Sequence, residues 1–160
     1  MLIEMHTKGL MLDAVTNVPI VVLKDTDNQR VLPIWVGTVE ANAIDLQIEN
    51  VAPPRPLTHD LFERLLGAVG GRLQRVVITE LRGSTYFAYL EILRGGERMF
   101  VDARPSDALA LALRTGAPVF VTPSVLEQAR SLEISSEQAD QVRLQRWLES
   151  LDPDDLGYKM

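Results

Sequence analysis

The densest concentration of chemistry in this chain runs from Val101 to Arg114. An apolar stretch stops at Asp102, and Arg104-Pro105-Ser106-Asp107 opens a segment of alanine and leucine. Two carboxylates, a guanidinium and a hydroxyl crowd the point where a strand hands over to an apolar helix. Polar groups so placed must satisfy one another, bind something or cost stability. The functional reading is a metal or phosphate site. Asp102 and Asp107 hold a hard cation such as Mg2+ or Mn2+, while Arg104, Ser106 and the helix N–H groups take a phosphate. The competing reading is structural. Pro105 at the first helical position and Asp107 in the first turn suit a helix N-terminus, and Arg104 then pairs with Asp102.

Other residues invite the same two readings. His59-Asp60 is a pair that ligates a metal or orients a general base. Against that, Asp60 precedes Arg64 by four residues, the spacing of a routine helix-surface pair. Glu40 sits in the first turn of its own helix, which suits the helix dipole, or faces a cleft with Asp45 or Gln47. Arg55 lies between prolines, in Pro53-Pro54-Arg55-Pro56, so a stiff backbone presents it to a phosphate or carboxylate. Trp35 and Tyr86 could stack on bases, although aromatics in strands are more often core. The P-loop, the dinucleotide fingerprint, the nucleophile elbow and zinc-ligand spacing do not occur.

These groups must be positioned by strands and helices that the pattern makes legible. Leu2 to Asp13, Val18 to Leu23 and Arg30 to Val36 read as strands, with a turn at Asp25-Thr26-Asp27-Asn28. Pro33 marks an edge or bulge. Ala41, Ile44, Ile48 and Val51 make one helical stripe after Gly37-Thr38, with Thr38 as N-cap. Thr58 to Val69 predicts a second helix with a wide buried face of Leu61, Phe62, Leu65, Leu66, Ala68 and Val69. Leu73 to Leu81, Thr85 to Leu93 and Arg98 to Val101 predict an antiparallel meander. Pro105 to Thr115 is apolar all round and predicts a buried helix capped by Gly116. The strand Pro118 to Val121 completes a βαβ-like crossover. A helical turn near Val125 to Arg130, a polar break at Glu133 to Ser136 and a final amphipathic helix, Glu137 to Leu151, follow. The class is α/β (α+β): one domain over residues 1–130 with a mixed, largely antiparallel sheet packed by helices, and a helical tail over 131–160.

The bulk numbers narrow the function classes. The chain has 160 residues, of which 46% are apolar and 24% charged, enough for a real core. It has no cysteine, which rules out disulfides and thiolate metal sites and fits a reducing cytoplasm. Charge at Glu4 and Lys8 interrupts the N-terminus too early for a signal peptide. A net charge of -6 argues against a sequence-independent grip on phosphate backbones. An acidic protein that handles phosphates usually recruits divalent cations.

Three segments together resemble the bifunctional nuclease domain family of small bacterial and plant proteins. They are Leu32-Pro33-Ile34-Trp35-Val36-Gly37 with Glu40-Ala41, then Arg55-Pro56-Leu57-Thr58-His59-Asp60-Leu61, and Asp102 through Asp107-Ala108 with Leu113-Arg114-Thr115-Gly116-Ala117-Pro118. The resemblance covers about residues 1–130. It implies a nuclease that cuts RNA and DNA on a compact, self-associating α/β fold. Glu40, His59, Asp60, Asp102, Arg104 and Asp107 fall on the motif positions. The expectation is therefore phosphodiester hydrolysis, with metal at Asp102 and Asp107, His59 and Glu40 in the chemistry, and Arg55, Arg104 and Ser106 on the phosphate. The rival expectation is a non-enzymatic oligomeric module that binds a small anionic ligand or a partner protein.

Overall fold

The first three strands are hairpin-linked because turn chemistry falls between β-rich runs. The computed structural model describes residues 1–135, with side chains as far as Ala129. It places β1 at Ile3–Leu12, β2 at Pro19–Asp25 and β3 at Val31–Trp35. Asp25 builds the β2–β3 turn: its Oδ1 accepts the N–H groups of Gln29 at 2.8 Å and Arg30 at 3.1 Å. Pro33 lies on β3, an edge strand of the sheet, where a missing donor is tolerated. The second half supplies β4 (Gly71–Arg82), β5 (Thr85–Arg94) and β6 (Glu97–Ala103), the expected meander.

A short strand, β7 (Val119–Val121), joins the two halves. It pairs antiparallel with β1 and parallel with β4. The resulting seven-stranded sheet has the order β3-β2-β1-β7-β4-β5-β6 and is antiparallel except at β4–β7. Between β6 and β7 runs α3 (Pro105–Thr115), so the chain crosses over β5 and β4 through a helix. Pro105 starts that helix and Gly116 ends it with φ of 76°, a left-handed conformation that favours glycine.

Three more helices complete the described fold: α1 (Thr38–Ile48), α2 (Thr58–Ala68) and α4 (Pro123–Ser135). Gly37 holds the α1 cap position, not Thr38, which is the first helical residue. A Cβ at Gly37 would collide with the Glu40 carboxylate, which folds back over it. Val51 falls beyond α1 and is exposed. Ala108, Leu109, Ala110 and Ala112 of α3 are buried in one core cluster with Ala41, Ala43 and Ile44 of α1 and with Val76, Ile78 and Leu90 of the sheet. Alanine on both helices lets α1 and α3 approach closely. The α4 helix continues through Glu133 to Ser135, where a polar break was expected. The expected Glu137–Leu151 helix lies outside the described residues. Among the described residues, no helix is long and apolar enough to cross a membrane.

The wide face of α2 is not buried. Leu61, Phe62, Leu65 and Val69 are each about half exposed, and His59 is the helix's buried residue. Leu66 packs against the core, and an ion pair adds a second attachment. The Arg114 side chain, 2% exposed, donates from Nε to Asp60 Oδ1 at 2.7 Å. Its Nη1 and Nη2 donate to the carbonyls of Ala110 and Ala43. One guanidinium therefore pins α1, α2 and α3. Removing one partner of a buried pair leaves the other uncompensated. Arg114→Met is expected to cost about 3 to 5 kcal/mol of unfolding free energy in urea titration. Adding Asp60→Asn to it should cost much less than the sum of the two single changes.

Candidate functional site at the α3 N-terminus

Arg104 occupies the cap position of α3, in extended backbone after β6, and Asp107 stands in the first helical turn. The Arg104 Nε donates to Asp107 Oδ2 at 2.9 Å, and its Nη2 donates to Glu40 Oε1 at 2.8 Å. The other oxygen of Asp107 lies 3.0 Å from Nε2 of His59. A continuous row, His59–Asp107–Arg104–Glu40, thus crosses the N-terminal end of α3 and links α2, α3 and α1. His59 is almost buried, whereas the Arg104 side chain is 65% exposed and offers N–H groups to solvent.

Burial pushes the Asp107 carboxyl up, but hydrogen bonds from Arg104 and His59 outweigh it and hold it below the usual carboxylate range. Asp107 is therefore an anion, and the His59 Nε2 that faces it carries the hydrogen. Nδ1 is the ring nitrogen turned away from Asp107. The hydrogen bond that Arg104 donates to Asp107, then the one it donates to Glu40, hold its guanidinium more firmly charged than usual. Asp60 follows the same logic. Burial raises its carboxyl, while the Leu57 N–H and Arg114 pull it below the ordinary range. Its hydrogen-bonded cation is Arg114 across the interface, not the neighbouring Arg64.

The row brings together four of the residues singled out in the sequence and leaves the others apart. Asp102 does not join Asp107. On β6 it pairs opposite Tyr89, while Ala103 pairs opposite the buried Ala88. Side chains alternate along a strand, so Asp102 projects to the face away from the core that α3 covers. Arg104 accordingly pairs with Asp107 and Glu40, not with Asp102. Ser106 is buried in the first turn of α3. Arg55 is exposed in the α1–α2 connection. Trp35 donates its indole N–H to Asp13 at 3.0 Å, and Tyr86 packs against the core. Asp45 is buried with Oδ1 lacking a hydrogen-bond partner, and desolvation, then Glu49, raises its carboxyl. It takes no part in the row with Glu40.

The donor set does not fit a resident metal ion at the expected carboxylates. Both Asp107 oxygens are engaged, Arg104 stands between Asp107 and Glu40, and Asp102 faces elsewhere. Sequence reasoning missed Arg114 as an organiser. The signal was a lone arginine directly after the all-alanine-and-leucine stretch Ala108 to Leu113.

The lowered Asp107 carboxyl has a thermodynamic consequence. A folded-state value below the unfolded one contributes stability that is complete above the unfolded value and lost as pH falls through the folded one. Asp107→Asn should therefore be less stable than wild type at pH 7. The gap between their urea midpoints should close as pH drops below the unfolded value of 3.8. A gap that stays constant with pH would contradict this.

Comparison with known proteins gives this geometry a family. The model of the bifunctional nuclease domain matches residues 21–133, which include the whole row. An uncharacterised protein of Mycobacterium tuberculosis strain H37Rv is 40% identical over 161 residues, covering 95% of this chain and 96% of that one. Bifunctional nuclease 1 of Arabidopsis thaliana is 30% identical over 107 residues, 64% of this chain but 33% of its own length. Bifunctional nuclease 1 of Oryza sativa subsp. japonica is 29% identical over 105 residues, 63% of this chain and 32% of its own. Across the fold, the motif segments and this match, the chain belongs to the bifunctional nuclease domain family.

Proposed function

We propose that the protein hydrolyses phosphodiester bonds of RNA and DNA at the His59–Asp107–Arg104–Glu40 row. The observation that carries this reading is membership of the family over residues 21–133. In this reading each residue of the row has a role that suits its contacts. Asp107 orients His59 and fixes its tautomer, so Nδ1 is the nitrogen available as general base. It takes a proton from the attacking water. A new P–O bond forms to that water, the old P–O bond breaks, and the imidazolium returns the proton to the leaving oxygen. Arg104 keeps N–H donors beyond the two it shares with Asp107 and Glu40, and these take the phosphate oxygens. Glu40 holds Arg104 in place. Arg55, exposed and stiffly held, contributes charge to a neighbouring phosphate. Dependence on Mg2+ or Mn2+ belongs to the proposal as a property of the reaction, not as a site at Asp102 and Asp107. The absence of cysteine from the sequence is compatible with the cytoplasm as the place of action.

A second reading has its own support. A charged arginine this exposed, backed by two carboxylates, also suits capture of a small anion without cleavage.

The two readings separate in a cleavage assay on end-labelled RNA and DNA, with Mg2+, Mn2+ or chelator. His59→Ala and Asp107→Asn are expected to lower the rate by about 10²- to 10⁴-fold. On all-uridine RNA, Asp102→Asn should leave the rate near wild type. Equal cleavage by His59→Ala and wild type would sink the site, and no cleavage under any condition would leave the anion-binding reading.

Self-association is part of the same proposal. Leu57, Leu61, Phe62, Leu65 and Val69 expose a row of apolar side chains along α2. Contiguous apolar surface of this kind marks an interface. A second copy is its proposed occupant. Phe62→Asp should shift the light-scattering mass of the full chain to that of a monomer. A wild-type mass already monomeric at micromolar concentration would contradict it.

A further inference from the structure

The displaced Asp102 is not solitary. On the same sheet face stand Tyr89 and Phe100, whose rings meet edge-to-face with centroids 5.5 Å apart. Phe100 is 62% exposed. A register shift in β4 between Ile78 and Glu80 inserts an extra residue. At such a bulge the strict alternation of faces lapses, so the consecutive Thr79 and Glu80 both reach the same side. Together with Phe87 and Ala88 these residues line an open cleft of about 400 Å³. Arginines flank the aromatics: Arg82 lies over the Phe87 ring at 4.9 Å and Arg75 over Phe120 at 5.7 Å. Arg75 and Arg98 in turn both pair with the buried Glu91.

Three features of this face point to one kind of occupant. The exposed Phe100, with the partly buried Tyr89 beside it, offers ring surface on which every nucleobase can stack. In a duplex those base faces are already stacked, so only an unpaired strand can use the rings. The charge is balanced, with Glu80, Glu91 and Asp102 against Arg75, Arg82 and Arg98, so stacking and hydrogen bonding would dominate over phosphate attraction. Finally, a carboxylate is acceptor-only. Guanine presents two adjacent donors, N1–H and the N2 amino group, to such an acceptor. Uracil presents a single N–H between two carbonyls.

We propose that the cleft walled by Phe87, Tyr89, Phe100 and Asp102 is a base-binding subsite for single-stranded nucleic acid. The rings stack on the base, and Asp102 selects an amino-bearing Watson–Crick edge, guanine foremost. Asp102 and Arg104 are two residues apart, about 7 Å of extended chain. A strand passing over the β6 edge would place a base in the cleft and a neighbouring phosphate at Arg104. That link to cleavage rests on the nuclease reading; base binding itself does not.

The test is fluorescence anisotropy with the full chain and labelled nine-nucleotide strands: all-uridine RNA, the same strand with one central guanosine, and a duplex of equal length. The expected result has four parts. The guanosine strand binds better than all-uridine, and both bind better than duplex. Phe100→Ala weakens single-strand binding about tenfold. Asp102→Ala removes the guanosine advantage while the chain keeps its melting temperature. Affinity falls less steeply with salt than a contact built on phosphates would. Wild type that does not bind single strands, or variants that bind like wild type, would overturn the proposal. A light-scattering mass that falls in Phe100→Ala while oligonucleotide affinity is unchanged would also overturn it, assigning the face to a second copy. Binding as expected without cleavage would leave this subsite standing and remove the nuclease reading.

Discussion

The buried Arg114 guanidinium is the constraint from which the rest of the site follows. A charge withdrawn from water must be met by acceptors on every side it presents. Here the acceptors come from three helices: the Asp60 carboxylate of α2, the Ala43 carbonyl of α1 and the Ala110 carbonyl of α3. Leu66 packs α2 on the core, while Leu61, Phe62 and Leu65 stay about half exposed. This ion adds the polar contact that fixes the N-terminal turn of α2 against α1 and α3. Once Asp60 is fixed, His59 beside it is fixed too, and its ring falls against Asp107. A residue outside the row thereby decides whether His59 and Asp107 meet.

The same logic explains how the row at the α3 N-terminus holds together. Arg104 lies between two carboxylates, and His59 closes the far side of Asp107. Both carboxylates meet the one guanidinium between them. Such a chain is worth little as stability where it is exposed, yet it fixes the directions of all four side chains. Pre-set orientation is what general acid–base chemistry and phosphate binding require.

Local pattern carried much of the fold into view. The β4–β6 meander, the limits of α3, the Gly116 cap and the edge position of Pro33 all follow from residue type and period, because each depends on neighbours in sequence. The α2 face shows where pattern stops informing. Periodicity reports that one side of a helix is apolar, but not whether the chain's own core covers it. The His59–Asp107 contact spans 48 positions, and no local rule announces it. Asp102 is a different case. Its alternation with Val101 and Ala103 already assigned it to the other side of β6. Chemical likeness to Asp107 outweighed that parity in the reading of the sequence.

The most direct test of the central claim is a crystal structure of the protein with a short oligonucleotide whose linkages resist hydrolysis. The expected result is a phosphate within hydrogen-bonding distance of Arg104, with the scissile phosphorus and an ordered water beside His59 Nδ1, and with Asp107 still bonded to Nε2. An oligonucleotide bound elsewhere, with no phosphate at Arg104 and no water at His59, would contradict it.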